Sequence, residues 1–427
     1  MLKEILLFAL MIGIMIAGSF IKIKGKKLPT SVVLLVAALA GSLASGAGLP
    51  ARILIEGTQQ FFQLSLVVAT GMLFMGILKA NGALDALVYL IVKTFYKVKV
   101  LLLILIMALI MMPGMLTGSA PAAVLSTGVL CLPILKRIGI PDEEAAGIIA
   151  MGAIFGMAAP PINVPAMTIA TGVYMPFQGF GGILCAITIP LAIFTVLFLG
   201  LRHVKEIDVN HVLDGIEPAP KGKGFIIHIP MIFLILAMGI SRAFPADIPD
   251  IGTSGIFVIS TILALFTGKK INILKSCKEA VQGSIDVLAL FAIVGTLISV
   301  FAMNGVRGLM VYACMGMTGV LLYVAIGVGI PVLSGPLMPF GAAAVLGVPF
   351  IMALSNLDAI IVTSALSTLM ALGALMPPTA ISGQFAAKAA GITSYGSMIK
   401  KIIVPIILTV VVCILVVVFA APLAKIF

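Results

Sequence analysis

The sequence predicts an all-α polytopic membrane protein, and three observations support that fold class. Of the 427 residues, 62% are hydrophobic and only 10% are charged, whereas soluble domains are about 25% charged. The mean hydropathy is +1.28, and apolar runs such as 402–418 leave almost no polar face. Because transmembrane barrels alternate polar and apolar residues, these runs indicate helices. At ~20 residues per span, the chain has room for roughly ten spans.

The net charge of +11 does not indicate a nucleic-acid partner. The basic residues lie in short loops between apolar segments, where they orient the spans and contact anionic headgroups of the lipid bilayer. We therefore expect clusters such as Lys93–Lys99 and Lys136–Arg137 to face the cytoplasm.

The sequence contains no pattern typical of catalysis or of a bound metal. Its five scattered cysteines include no CxxC pair, and its three histidines lie near one loop, so neither a disulfide framework nor a metal site is expected. There is no GxxxxGK[ST] loop for ATP and no HExxH zinc pair. We expect a protein that is not an enzyme and has no cofactor.

A polar stretch at 202–224 divides the chain almost in half and prompts a search for an internal duplication. An offset of 217 residues aligns two separated features, and Asn81-Gly82 pairs with Asn304-Gly305 at a slightly larger offset. The two features are Leu116-Thr117-Gly118 with Leu333-Ser334-Gly335, and Pro160-Pro161 with Pro377-Pro378. We divide the chain into N-terminal scaffold helices (1–60), a first repeat (61–200), a cytoplasmic linker with scaffold helices (201–284) and a second repeat (285–427).

Charge indicates that the two repeats have opposite orientations. Basic clusters at Lys93–Lys99 and Lys136–Arg137 flank the Thr117 region of the first repeat, whereas no Lys or Arg occurs from 308 to 387 in the second. Matching loops of parallel copies would carry similar charge. The sequence therefore predicts inverted repeats, which are common in secondary transporters.

Each repeat contains an apolar segment that is too long for one span and is interrupted by small residues and prolines. The segment 101–135 is interrupted at Pro113–Pro121 and is flanked by basic residues, so both of its ends belong on one side. This predicts a re-entrant hairpin, with a proline-kinked helix as the alternative. The second repeat has the same pattern at Pro331–Pro339.

The two Pro-Pro pairs predict two broken helices. Proline lacks an N–H and disfavours helix at the residue before it, so each pair frees carbonyl groups within the bilayer. A bound cation is one partner for such carbonyls, and a purely structural kink is the alternative. Polar side chains follow the breaks at Asn163, Thr168, Thr379 and Ser382.

The predicted site segments are nearly free of carboxylates. No Asp or Glu occurs between residues 144 and 206, between 286 and 358, or after 358. Proton relays normally use buried Asp, Glu or His, so Na⁺ fits these neutral segments better as a coupling ion. An anionic substrate would meet half-helix N-termini, which carry partial positive charge.

In these motifs the sequence resembles the large membrane subunit of tripartite ATP-independent periplasmic (TRAP) transporters. The matching stretches are Gly114-Met-Leu-Thr-Gly-Ser-Ala, Gly156 with Pro160-Pro161, and Gly373 with Pro377-Pro378-Thr379. The resemblance covers nearly the whole chain and implies an elevator-type ion-transporter fold, in which a transport unit moves against a scaffold. It also implies an inner-membrane location and two separate partner chains, a small membrane subunit and a soluble periplasmic solute-binding protein.

By the same resemblance, sodium would bind where each hairpin meets a break, with substrate between the two sites. The implied ion-binding residues are Thr117, Gly118, Ser119, Pro160, Asn163, Ser334, Gly335, Pro377 and Thr379. The candidate substrate-binding residues are Ser119, Asn163, Ser334, Thr379 and Ser382. The second hairpin departs from the family in being proline-rich and in lacking an acidic residue.

Together these features predict a sodium-coupled symporter that imports a small organic anion, such as a dicarboxylate or another carboxylate, as the permease of a TRAP-type system. A stand-alone carrier of the same superfamily, working without a binding protein, is an alternative. A passive channel is a further alternative, since glycine-rich broken helices also line pores.

Overall fold

The computed structural model describes residues 1–23, 26–204, 208–220, 222–243, 251–317 and 319–427. The first half of the chain forms α1 (Leu2–Phe20), α2 (Thr30–Ala44), α3 (Ala51–Gln59), α4 (Phe62–Ala80), α5 (Ala83–Phe95), α6 (Lys99–Thr117), α7 (Ala120–Ala123), α8 (Val129–Arg137), α9 (Asp142–Ala158), α10 (Val164–Gly172), α11 (Phe180–Gly200) and α12 (Val209–Leu213). A short antiparallel ribbon, β1 (Lys22–Ile23) with β2 (Lys26–Lys27), joins α1 to α2.

The second half continues the helical pattern. It forms α13 (Ile229–Ala243), α14 (Gly252–Thr267), α15 (Ile273–Met303), α16 (Val306–Met315), α17 (Gly319–Val324), α18 (Ile330–Ala342), α19 (Val348–Ala353), α20 (Ala359–Ala371), α21 (Ile381–Ala390), α22 (Tyr395–Val418) and α23 (Ala420–Leu423). Turns of π-helix at Val124–Gly128, Ala325–Gly329 and Ala343–Gly347, and of 3₁₀-helix at Ile226–His228 and Leu372–Leu375, continue adjoining helices. By length and composition, eight helices within the described residues can cross a membrane. The predicted helical multi-pass membrane fold is confirmed.

Both predicted breaks are present. Helix α9 ends at Ala158, the chain is non-helical around Pro160-Pro161, and α10 begins after Asn163. Helix α20 and its 3₁₀ extension likewise end before Pro377-Pro378, and α21 follows at Ile381. The prolines interrupt the helical hydrogen-bond ladder because they supply no N–H.

The first interrupted segment is a helical hairpin. Helix α6 ends at Gly118, whose φ of 64° reverses the chain, and such left-handed backbone favours glycine. At the far ends, the Lys99 Nζ donates to the Val204 carbonyl at 3.3 Å and Arg137 donates to the Val212 carbonyl at 3.1 Å. Both ends of the hairpin therefore meet the same segment of the chain. Re-entry into the bilayer from that side stays a prediction.

The second interrupted segment reverses later than its sequence alignment suggests. Ser334 and Gly335 lie within α18, and the non-helical residue is Met338, with φ 58° and ψ 159°. Met338 thus separates two helical parts of α18, and Pro336 and Pro339 lie on either side of it. The tip of the second hairpin is therefore displaced by three residues relative to the aligned Gly118.

Helices α10 and α20 pack on each other and so join the two repeats. The side chain of Asn163, before α10, reaches Ser367 near the end of α20 at 2.9 Å. After α10, a Cβ on Gly179 would lie 3.1 Å from the Ile360 side chain at the start of α20. The opposite orientation of the two repeats stays a prediction.

Two short helices were not predicted from the sequence. Helices α5 and α16 both begin after an Asn-Gly pair, and in each the asparagine Oδ1 accepts the N–H two residues on, at 3.0 Å from Asn81 to Ala83 and 3.2 Å from Asn304 to Val306. This shared cap supports the duplication. The basic segment 271–284 is mostly the first part of the unbroken α15.

The helices form a peripheral group and an inner group. Helices α1 to α4 and α13 to α15 pack mainly on one another, whereas α6, α9, α11, α18 and α20 to α22 surround the two breaks. Within the inner group the backbones approach closely at two equivalent glycines. A Cβ on Gly156 would overlap the Met111 carbonyl, and a Cβ on Gly373 would overlap Ser334.

We predict that Gly156→Ala and Gly373→Ala each destabilise the protein by about 1–3 kcal/mol, because the added methyl group has backbone atoms in its place. Gly239→Ala in α13 is the matched control, since a Cβ there meets nothing within 4 Å and alanine favours helix. Thermal unfolding in detergent, followed by circular dichroism, measures the difference. Unchanged melting temperatures for both inner variants would contradict the close packing.

Candidate functional site

The first hairpin tip and the first break are in contact. The Ile162 N–H donates to the Met115 carbonyl at 3.2 Å, and Gly118 packs against Val164 so closely that a Cβ would overlap that side chain. Gly114 lies against the backbone of Gly156, with 2.8 Å between an added Cβ and the Gly156 carbonyl carbon. The non-helical backbone thus lies inside protein, where a bilayer tolerates it.

Local hydrogen bonds fix the shape of this tip. The Thr117 hydroxyl donates to the Pro113 carbonyl at 2.6 Å and accepts from the Ser119 N–H at 3.2 Å. The Ser119 hydroxyl accepts from the Ala122 N–H at 3.4 Å and so caps α7. Both hydroxyl groups belong to buried residues.

Asn163 joins the first break to the other repeat. Its Oδ1 caps α10 through the Ala166 N–H at 2.9 Å, and its Nδ2 donates to the Ala158 carbonyl at 2.7 Å and to the Ser367 hydroxyl at 2.9 Å. The side chain is fully buried, and all its polar groups are committed to the protein. Pro160, three residues before it, is also buried.

The second hairpin meets the second break in the same manner. Gly335 lies against the Pro377 carbonyl, where a Cβ would collide with the oxygen, and the Thr379 hydroxyl donates to the Gly335 carbonyl. The Ser334 hydroxyl donates within α18 to the Ile330 carbonyl at 2.6 Å. The residues of each implied ion site are therefore neighbours, and the presence of ions there stays a prediction.

Between the two junctions lies a cavity that is partly open to its surroundings. It is lined by Ser119, Pro121, Met157, Val287, Met338, Pro339, Phe340, Ala374, Thr379, Ile381 and Ser382. Three of the candidate substrate residues, Ser119, Thr379 and Ser382, thus come together. The other two, Asn163 and Ser334, lie outside the lining.

Ser382 is distinctive among these side chains. It is fully buried, and its Oγ has no hydrogen-bond partner. It lies in the first turn of α21, whose N-cap residue, Ala380, provides no side-chain hydrogen bond. The first N–H groups of a helix lack intrahelical acceptors, so the cavity adjoins an uncapped helix N-terminus and a free hydroxyl.

Carboxylates are remote from this site. Glu144 is the only buried Asp or Glu among the residues that the structure describes. It binds the Lys401 Nζ at 3.0 Å at the opposite end of α9, about 20 Å from the break at 1.5 Å per residue. The junctions and the cavity are therefore built from neutral groups.

Sequence reasoning missed the apolar part of the lining. Met157, Val287, Met338, Phe340 and Ile381 carry no chemical signature, and they come from four segments that lie far apart in the sequence. Met157 does follow Gly156 of the recognised motif directly, and Met338 and Phe340 surround Pro339 of the second hairpin. Their position next to these motifs was the only sequence feature that could have identified them as lining residues.

Broken helices that face helical hairpins around a neutral central cavity are typical of secondary transporters. The family model for the DctM component of tripartite ATP-independent periplasmic transporters matches residues 8–423. The chain belongs to this family and is a TRAP-type large permease subunit, which confirms the resemblance seen in the sequence.

Solved structures share the fold. The YdaH transporter of Alcanivorax borkumensis superposes with a TM-score of 0.59 at 14% identity, covering 98% of this chain and 97% of its own. MtrF of Neisseria gonorrhoeae, described as illuminating a class of antimetabolite efflux pumps, gives 0.58 at 13% identity, with 98% and 94% covered. No protein with a curated description matches the sequence.

We predict that Asn163→Ala destabilises the protein by about 2–4 kcal/mol, because it removes a helix cap and leaves buried partners unpaired. Ser367→Ala removes the bond between repeats and the bond from the Ser367 hydroxyl to the Ser364 carbonyl at 3.0 Å, but no helix cap, and should cost about 1–2 kcal/mol. Thermal or denaturant unfolding in detergent gives both values. Equal losses in the two variants would show that the cap on α10 contributes nothing.

Proposed function

We propose that this permease imports a small organic anion together with Na⁺ across the inner membrane. It would act with a small membrane subunit and a soluble binding protein, the other two components of the tripartite systems to which its family belongs. The observation that carries this proposal is the neutral cavity between two junctions of hairpin and broken helix.

Hydroxyl geometry supports cation binding at the junctions. Thr117, Ser334 and Thr379 each donate their hydroxyl proton to a backbone carbonyl. A hydroxyl has one proton and two lone pairs, so these oxygens can offer only lone pairs to a further partner. Lone pairs suit Na⁺, and the carbonyls freed at the breaks add ligands of the same kind.

The charge distribution favours Na⁺ over H⁺ as the coupling ion. Proton-coupled carriers use buried Asp, Glu or His along the ion path. Within the described residues, the one buried acid, Glu144, is paired with Lys401 at the far end of α9. A proton would find no titratable group at either junction.

A second set of groups supports anion binding in the cavity. Ser382 has no partner, and Ser119 uses its oxygen as an acceptor, so both hydroxyl protons are available. The N-terminus of α21 adds free N–H groups and partial positive charge. These donors suit a carboxylate.

We predict that Na⁺ raises the melting temperature of the purified chain relative to equal concentrations of K⁺, since a ligand that binds the folded state stabilises it. Thr379→Val should weaken Na⁺ affinity about tenfold or more, as loss of a metal-site partner commonly does. Thr188→Val in α11 is the matched control, because Thr188 is also buried and donates to a carbonyl, that of Leu184 at 2.7 Å.

Two results would contradict the proposal. One is an identical response to Na⁺ and K⁺ in the unmodified protein. The other is uptake into proteoliposomes that needs a proton gradient and persists undiminished without Na⁺.

A further inference from the structure

We propose that the cavity is specific for a monoanion with an apolar body, so that it favours monocarboxylates over dicarboxylates. This inference deepens the proposed function, on which it rests, by naming the substrate class. It follows from the distribution of donors and apolar surface in the lining of the cavity.

The donors in the lining suffice for one carboxylate. Thr379 is excluded as a donor because its proton is held by the Gly335 carbonyl, and Pro121 has no N–H. The remaining donors are the hydroxyls of Ser119 and Ser382 and the first N–H groups of α21. A carboxylate has about four acceptor positions, so one such group uses these donors.

The rest of the lining cannot solvate a second charge. It consists of side chains without hydrogen-bond donors, namely Met157, Val287, Met338, Pro339, Phe340, Ala374 and Ile381. No Lys, Arg or His is among the lining residues. An unpaired buried carboxylate is strongly unfavourable, whereas an alkyl group gains from the same surface.

The apolar lining also bears on the carbon chain of the substrate. Met157 and Phe340 lie in the lining beside the donors, so an alkyl part that contacts them gains from the burial of apolar surface. Methionine adapts to irregular apolar shapes, so variation in that alkyl part is tolerated better than added charge.

The test compares two anions of nearly the same shape, 4-methylpentanoate and succinate, in which an isopropyl group and a carboxylate replace each other. Binding to the purified full chain is measured in NaCl by titration calorimetry and by thermal shift. We expect 4-methylpentanoate to bind at least about tenfold more tightly, because the second carboxylate of succinate is left without partners.

Ser382→Ala should weaken 4-methylpentanoate binding about tenfold or more, since it removes a hydrogen bond to a charged group, and should leave the Na⁺-dependent stabilisation intact. Ser260→Ala is the matched control: Ser260 is equally buried but donates to the Ile256 carbonyl within α14 at 2.8 Å. It should leave both responses unchanged.

Equal or tighter binding of succinate would overturn the inference while leaving a Na⁺-coupled carrier of organic anions intact. Binding of neither anion, in protein that still responds to Na⁺, would also overturn the inference. Unchanged affinity in Ser382→Ala would show that the anion does not bind at α21. Loss of the Na⁺ response in the unmodified chain would instead count against the proposed function.

Discussion

The structure depends on one constraint: a main chain that leaves the helical conformation inside a bilayer must have partners for its exposed N–H and C=O groups. Here each break is placed against a hairpin from its own repeat. Gly156 and Gly373 allow this because a Cβ at either position would overlap the neighbouring backbone. The contact brings the Ile162 N–H to the Met115 carbonyl and the Thr379 hydroxyl to the Gly335 carbonyl, so the interruptions are enclosed by protein.

The same hydrogen bonds to the main chain determine which hydroxyl groups can still donate a proton to a ligand and which can only accept one. Hydroxyls that give their protons to the main chain can present only oxygen lone pairs, whereas Ser382, whose Oγ is unpartnered, keeps a proton to donate. In the proposed function, hydroxyl side chains would therefore bind a cation at the junctions and an anion at Ser382, without any ionisable side chain. In a low-dielectric interior this avoids the cost of burying formal charges before ligands arrive.

Much of this arrangement could be predicted from sequence because proline and glycine leave local signatures. The Pro160-Pro161 and Pro377-Pro378 breaks and the reversal at Gly118 lie where the motifs indicate. The later turn at Met338 could not be located, since three prolines in that segment permit several positions and only packing selects one. Helices such as α5 and α16 and the apolar lining of the cavity depend on contacts between distant segments, which no local pattern records.

One residue of the cavity lining lies on a helix of the peripheral group. Val287 lies on α15, which packs mainly on α2, α3 and α4, whereas the other lining residues come from the hairpins and broken helices. Those segments are bonded across the repeats, through Asn163 to Ser367 and through Lys136 to the Ala390 carbonyl at 2.9 Å. In the proposed carrier, movement of this unit relative to α15 would change the contact at Val287, while the polar residues of the lining would move together. Such a carrier would bind substrate from whichever compartment the cavity faced. Reversal of the substrate and Na⁺ gradients would then reverse the direction of transport.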